Sequence, residues 1–99
     1  MAILGKQRKQ PRETWDYDID YAGDMPVGDK VVSASASVVC ITDPTDTALT
    51  KGSVTFTDLA SKVWLSGGTD KHSYKITVFA TTEGGRELED EFILNVKED

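Results

Sequence analysis

The sequence predicts an all-β domain built as two packed sheets, and three observations carry that reading. Apolar and polar residues alternate in several short runs, the period of a half-buried strand. Turn signals rich in Gly, Pro and Asp separate those runs at short intervals. No segment carries an amphipathic helical stripe longer than a turn. Six or seven strands at this spacing are the pattern of a sandwich or barrel.

Taken in order, residues 1–13 are polar, basic and aperiodic and contain Pro11, so they read as a flexible N-terminal arm. The domain then spans residues 14–99. Trp15, Tyr17, Ile19 and Tyr21 alternate with Asp16, Asp18 and Asp20 in a first strand. Turns follow at Ala22–Asp24 and Met25–Asp29. Lys30 to Ile41 is a long run of Val, Ser and Ala. Ala34 and Ala36 favour helix weakly, but the β-branched residues around them and the alternating serines favour a strand with a bulge. Asp43-Pro44-Thr45-Asp46 is a turn, with a Thr-rich loop to Gly52. Ser53–Thr57 and Lys62–Leu65 read as short strands. Ser66–Asp70 is a Gly-containing turn, Ser73–Thr82 alternates again, and Glu83–Arg86 is a hairpin loop leading into Glu87–Lys97.

The stretch from Leu65 to Ala80 resembles the last strands of a fibronectin-III domain, where a Gly-containing turn precedes a tyrosine that opens an alternating strand. The fold expected is therefore an immunoglobulin- or fibronectin-III-like sandwich. In it, Tyr74 would lock the corner by bonding its hydroxyl to the upstream backbone.

Ninety-nine residues are enough for one core. A chain of this length buries roughly two-thirds of its unfolded surface and gains from partners or oligomerisation. The N-terminus turns polar at Lys6, so no apolar stretch of a signal peptide is expected, and no apolar run is long enough to span a membrane. Lys6, Arg8, Lys9 and Arg12 give residues 1–12 a charge of +4, which leaves seven bases against seventeen acids, −10, over residues 13–99. An acidic body repels phosphates, so neither nucleic acid nor membrane is an expected partner.

No catalytic set is expected. His72 is the lone histidine and reads as a solvated turn residue; Cys40 is the lone cysteine and reads as a small buried hydrophobe. Their spacing relates neither to the other, so no metal and no cofactor are expected. Asp16, Asp18 and Asp20 resemble the start of a calcium loop, but Tyr21 and Val27 stand where its glycine and closing glutamate belong. Gly67-Gly68 and Gly84-Gly85 open no helix and cradle no phosphate. Trp64 reads as a core residue. Trp15, at the junction of arm and domain, suits core packing and a partner contact equally.

Several motifs together resemble the fiber-tail adaptor proteins of tailed bacteriophages. They are Asp16-Tyr17-Asp18-Ile19-Asp20-Tyr21, Gly28-Asp29-Lys30-Val31, the block Val63-Trp64-Leu65-Ser66-Gly67-Gly68-Thr69, then Tyr74-Lys75-Ile76-Thr77, Thr81-Thr82-Glu83-Gly84-Gly85-Arg86 and Phe92-Ile93-Leu94-Asn95-Val96. The resemblance runs from about residue 14 to 97. The family often has tryptophan where Ala36 and Tyr21 stand here, and the central loop diverges. The resemblance implies a non-enzymatic virion structural protein, assembled in the host cytoplasm, that joins tail or neck to fibers as a homo-oligomeric ring. Ile3, Leu4, Lys6, Arg8, Lys9, Arg12 and Trp15 are the expected partner contacts. The alternatives are a capsid decoration or head-tail connector subunit and, in another class, a carbohydrate-binding adhesive module.

Overall fold

The computed structural model describes the backbone of residues 2–23 and 25–98, and within those ranges the side chains from Gln7 onward. Among the described residues seven strands follow one another with no helix between them: β1 Ala2–Lys9, β2 Thr14–Asp20, β3 Val31–Cys40, β4 Leu49–Thr57, β5 Ala60–Gly67, β6 Ser73–Thr82 and β7 Glu87–Val96. They form a four-stranded sheet in the order β1-β7-β6-β3 and a three-stranded sheet in the order β2-β5-β4. Every pairing is antiparallel except β1 with β7, which is parallel.

Alternation decides which side chains enter the core. Ile76, Val78, Leu94, Val63 and Leu65 are fully buried, and Ile19, Phe92 and Val96 nearly so. Each such side chain contributes about 1.5–3 kcal/mol relative to remaining in water. Tyr17 packs its ring on Phe92 across the two sheets, centroids 5.3 Å apart. The bulge expected in the third strand falls between Val31 and Ser33. It keeps Ala34, Ala36, Val38 and Cys40 facing inward opposite Ala80, Val78, Ile76 and Tyr74.

Three sequence expectations change. Ala2–Lys9 run as an edge strand beside β7 where a flexible arm was expected. Pairing there is between backbone groups, which any sequence supplies, and a strand that ends in Lys6-Gln7-Arg8-Lys9 without alternation suits a sheet edge. β4 begins at Leu49, inside the expected Thr-rich loop, because buried Leu49 anchors its start and a register shift between Lys51 and Val54 absorbs Gly52-Ser53. Trp64 is 38% exposed. Val63 and Leu65 on either side of it occupy the core, so strand parity turns Trp64 to the outer face of its sheet.

Candidate functional site

The strand directions gather the loops at two opposite ends, and each end is tied by one aspartate. At the first, the loop before β3 meets the β6–β7 hairpin. Asp29 accepts hydrogen bonds from Gly84 N–H at 2.9 Å, from Lys30 N–H at 2.9 Å and from the Arg86 guanidinium at 3.0 Å. The Thr82 hydroxyl and then these donors hold its carboxyl down to about 2. The Asp29 side chain is nearly buried while Arg86 is half exposed.

At the second end, the loop after β3 folds over the start of β6. Asp46 Oδ2 accepts from the Tyr74 hydroxyl at 2.6 Å and faces His72 Nδ1 at 2.6 Å; its Oδ1 accepts from Ala48 N–H at 2.7 Å. The Tyr74 bond, the Ala48 bond and the His72 contact hold the Asp46 carboxyl below the usual carboxylate range. An ionised carboxylate only accepts, so the proton between the two side chains sits on Nδ1. Burial, and next the neighbouring Asp46, push the Tyr74 phenol up. The Tyr74 hydroxyl in turn accepts from Thr69 N–H at 2.8 Å, five residues upstream.

Two glycines make that arrangement possible. Gly67 has φ +74° and Gly68 φ +103°, in the region that favours glycine. A Cβ on Gly67 would lie 2.7 Å from the Ala48 carbonyl, and one on Gly68 would lie 2.8 Å from Val96. The Ser-Gly-Gly-Thr turn thus lets the loop after β3 and the end of β7 close on it, which aims Thr69 at Tyr74.

Cys40 completes the cluster from the end of β3. Its Sγ lies 3.8 Å from His72 Nδ1 and accepts from Asp43 N–H at 3.3 Å. The reading of His72 as a solvated turn residue unrelated to Cys40 is corrected here: its side chain is only 24% exposed and touches both Cys40 and Asp46. Thirty-two residues separate the two in sequence, and only the β3–β6 pairing, with Cys40 opposite Tyr74, brings them together. The set lacks the relay geometry of a nucleophile, base and orienting acid. Sulfur and carboxylate approach the same ring nitrogen, whereas a relay needs both.

The expected partner contacts divide. Trp15 is 56% exposed, and Arg8 and Arg12 are exposed. Lys9, expected on a docking surface, is buried instead. Its ammonium donates to the carbonyls of Gln10 at 2.6 Å, Glu13 at 2.8 Å and Pro11 at 3.4 Å, closing the turn between β1 and β2, and desolvation lowers its pKa. The side chains of Ile3, Leu4 and Lys6 lie outside the described residues. Exposed aromatics among the described residues are dispersed: Trp64 on the outer face of the three-stranded sheet, Phe79 opposite Ser35 on the outer face of the other, Phe56 near the end of β4, and Trp15 at the start of β2. Asp16 and Asp18 both face Lys62, at 3.2 and 3.9 Å, as a solvated strand face.

Both tied ends coincide with the motifs that carried the sequence resemblance, Gly28-Asp29 with Thr82 and Arg86 at one end and Ser66–Thr69 with Tyr74 at the other. No curated protein matches the chain. Residues 9–95 match the family described as podophage GP4 fiber-tail adaptor protein gp77, a span that begins at the last residue of β1 and covers β2 through most of β7. The chain belongs to this family of podophage fiber-tail adaptor proteins.

Proposed function

We propose that the protein is a non-enzymatic structural subunit of the virion, assembled in the host cytoplasm, that joins the tail or neck to fibers as one copy in a ring. The observation that carries this reading is the family match over residues 9–95. The fold read in finer detail is an immunoglobulin-type sandwich. Strands two, five and four oppose seven, six and three, the division of B, E, D from C, F, G in that fold.

Geometry supports a docking role. Ties at both ends hold the loops in a fixed shape, which suits a part that must present the same surfaces in every copy. The N-terminal segment with Ile3, Leu4, Lys6, Arg8 and Arg12, together with exposed Trp15, is the proposed contact surface. Its positive charge complements an acidic body, and a head-to-tail contact between the two repeats around a ring. An exposed tryptophan beside bases is also the composition of an interface hot spot.

Virions assembled without this protein test the adaptor role by their fiber content. Particles that lose their fibers, and regain them when the wild-type chain is supplied, support it. Particles with a normal complement of fibers refute it. Trp15→Ala then tests the contact surface: the domain is expected to fold with an unchanged circular dichroism spectrum and to enter particles poorly.

A further inference from the structure

We propose that Cys40, Asp46 and His72 form a binding site for a zinc-class divalent cation at the end of the sandwich opposite Asp29. The three donor atoms, Cys40 Sγ, Asp46 Oδ2 and His72 Nδ1, all lie within 4.8 Å of one another. They come from three segments, the end of β3, the loop after it and the residue before β6, so only the folded domain assembles them. A thiolate, an imidazole and a carboxylate are the donor set of zinc and its congeners; magnesium and calcium take oxygen alone.

The distances fit with a small adjustment. A tetrahedral ion about 2.0–2.3 Å from each ligand holds the ligand atoms roughly 3.3–3.8 Å apart. Cys40 Sγ and His72 Nδ1 are already 3.8 Å apart. As the ion binds, the proton that His72 Nδ1 donates to Asp46 Oδ2 across 2.6 Å and the Cys40 thiol proton pass to solvent, and the His72–Asp46 pair opens by less than about 1 Å. Neighbouring groups fix the ligands. The Tyr74 hydroxyl and Ala48 N–H orient the Asp46 carboxylate, and Asp43 N–H points at the sulfur. Three protein ligands leave the fourth position to water. The site is independent of the adaptor role, since it stands on the three side chains and their spacing.

The chain's composition makes the test clean, because one cysteine and one histidine leave each spectroscopic signal a single source. The full-length protein, reduced and dialysed against chelator, is titrated with cobalt(II). Expected are one equivalent bound per chain and a thiolate-to-cobalt charge-transfer band. Zinc is expected to displace the cobalt and to raise Tm by at least about 5 °C at saturation. Cys40→Ser should abolish the band, with Cys40→Ala as the replacement if the serine variant fails to fold. His72→Gln should weaken cobalt binding at least about tenfold. Absence of a saturable band together with a Tm indifferent to zinc overturns the proposal, and leaves Asp46 and His72 as a hydrogen-bonded pair only. A band undiminished in His72→Gln overturns it as well.

Discussion

The two ends of the sandwich solve the same problem with different materials. Each must hold a long loop against a sheet, and each does so with one aspartate that receives several hydrogen bonds. At the Asp29 end the loop before β3 is tied to the β6–β7 hairpin by an arginine that is half in water and by backbone N–H groups. At the Asp46 end the partners are a fully buried tyrosine, a partly buried histidine and a turn whose glycines admit no side chain. The first arrangement can lose Arg86, because water replaces a half-exposed partner, although the Asp29 side chain and Thr82 are themselves buried. The second has no such partner to lose, because Tyr74 is only 1% exposed and its hydroxyl has nowhere else to donate. Stability is therefore concentrated at the Asp46 end, while the Asp29 end shapes a loop.

Matched glycine substitutions separate the two ends by the largest margin. Gly68→Ala should cost about 2–4 kcal/mol, since strain at φ +103° adds to a Cβ driven within 2.8 Å of Val96. Gly85→Ala at the other end has φ +85° and open space around it, so only the conformational term of about 1–2 kcal/mol applies. Denaturant midpoints compare the two directly, and equal losses would show that the ends are equally rigid.

Tyr74→Phe comes next. It leaves Thr69 N–H without its acceptor and removes the strongest donor to Asp46, for an expected loss of about 1–3 kcal/mol, or a Tm lower by roughly 5–20 °C. Arg86→Ala, which cuts the exposed half of the other tie, should lower Tm by no more than about 4 °C.

Acid unfolding also separates the two ends. Both carboxyls are depressed in the folded state, so the stability they confer is present above the ordinary aspartate range near 3.8 and is lost as pH falls through their folded values. For Asp29 that loss runs from about pH 4 to about pH 2. Asp29→Asn should flatten the stability curve across this window, whereas Tyr74→Phe should shift the Asp46 part of the loss upward in pH, because the tyrosine is the main cause of its depression. Stability measured by urea unfolding between pH 2 and 5 distinguishes the two.

The smallest effect concerns a third tyrosine, between the ends. Tyr21 donates to Ser61 at 3.0 Å, but the buried hydroxyl of Tyr17 has no partner among the described residues. Burial, then Glu13 and Asp16, push the Tyr17 phenol up to about 12. Its raised value means that folding loses stability between about pH 10 and pH 12, as the unfolded phenol ionises and the folded one resists. Tyr17→Phe should be neutral or stabilising by up to about 1 kcal/mol at pH 7 and should remove that alkaline loss. A clear destabilisation at neutral pH would mean that the hydroxyl does bond something in solution.

Much of this molecule was legible in its residues, for reasons that can be traced. Alternation in Thr14–Asp20, Ser73–Thr82 and Glu87–Val96 named most of the inward positions, with Asp90 buried among them and Trp15 exposed, because a strand's side chains obey a period of two wherever one face is buried. The paired glycines of Ser66–Thr69 marked a turn that no other residue builds. Motif spacing carried the family, which the match over residues 9–95 agrees with. Three things were decided only by tertiary structure. β1 is a strand because the open edge of β7 offers hydrogen-bond partners, and Ala2–Lys9, apolar at one end and basic at the other, carries no periodic signal. Trp64 lies outside because Val63 and Leu65 cannot both face the core unless the residue between them faces away. Cys40, Asp46 and His72 meet because β3 and β6 pair in one register, and residues so far apart in sequence share no local pattern that announces the contact. Local periodicity is written along the chain, whereas the meeting of distant residues is written only in how the strands pair.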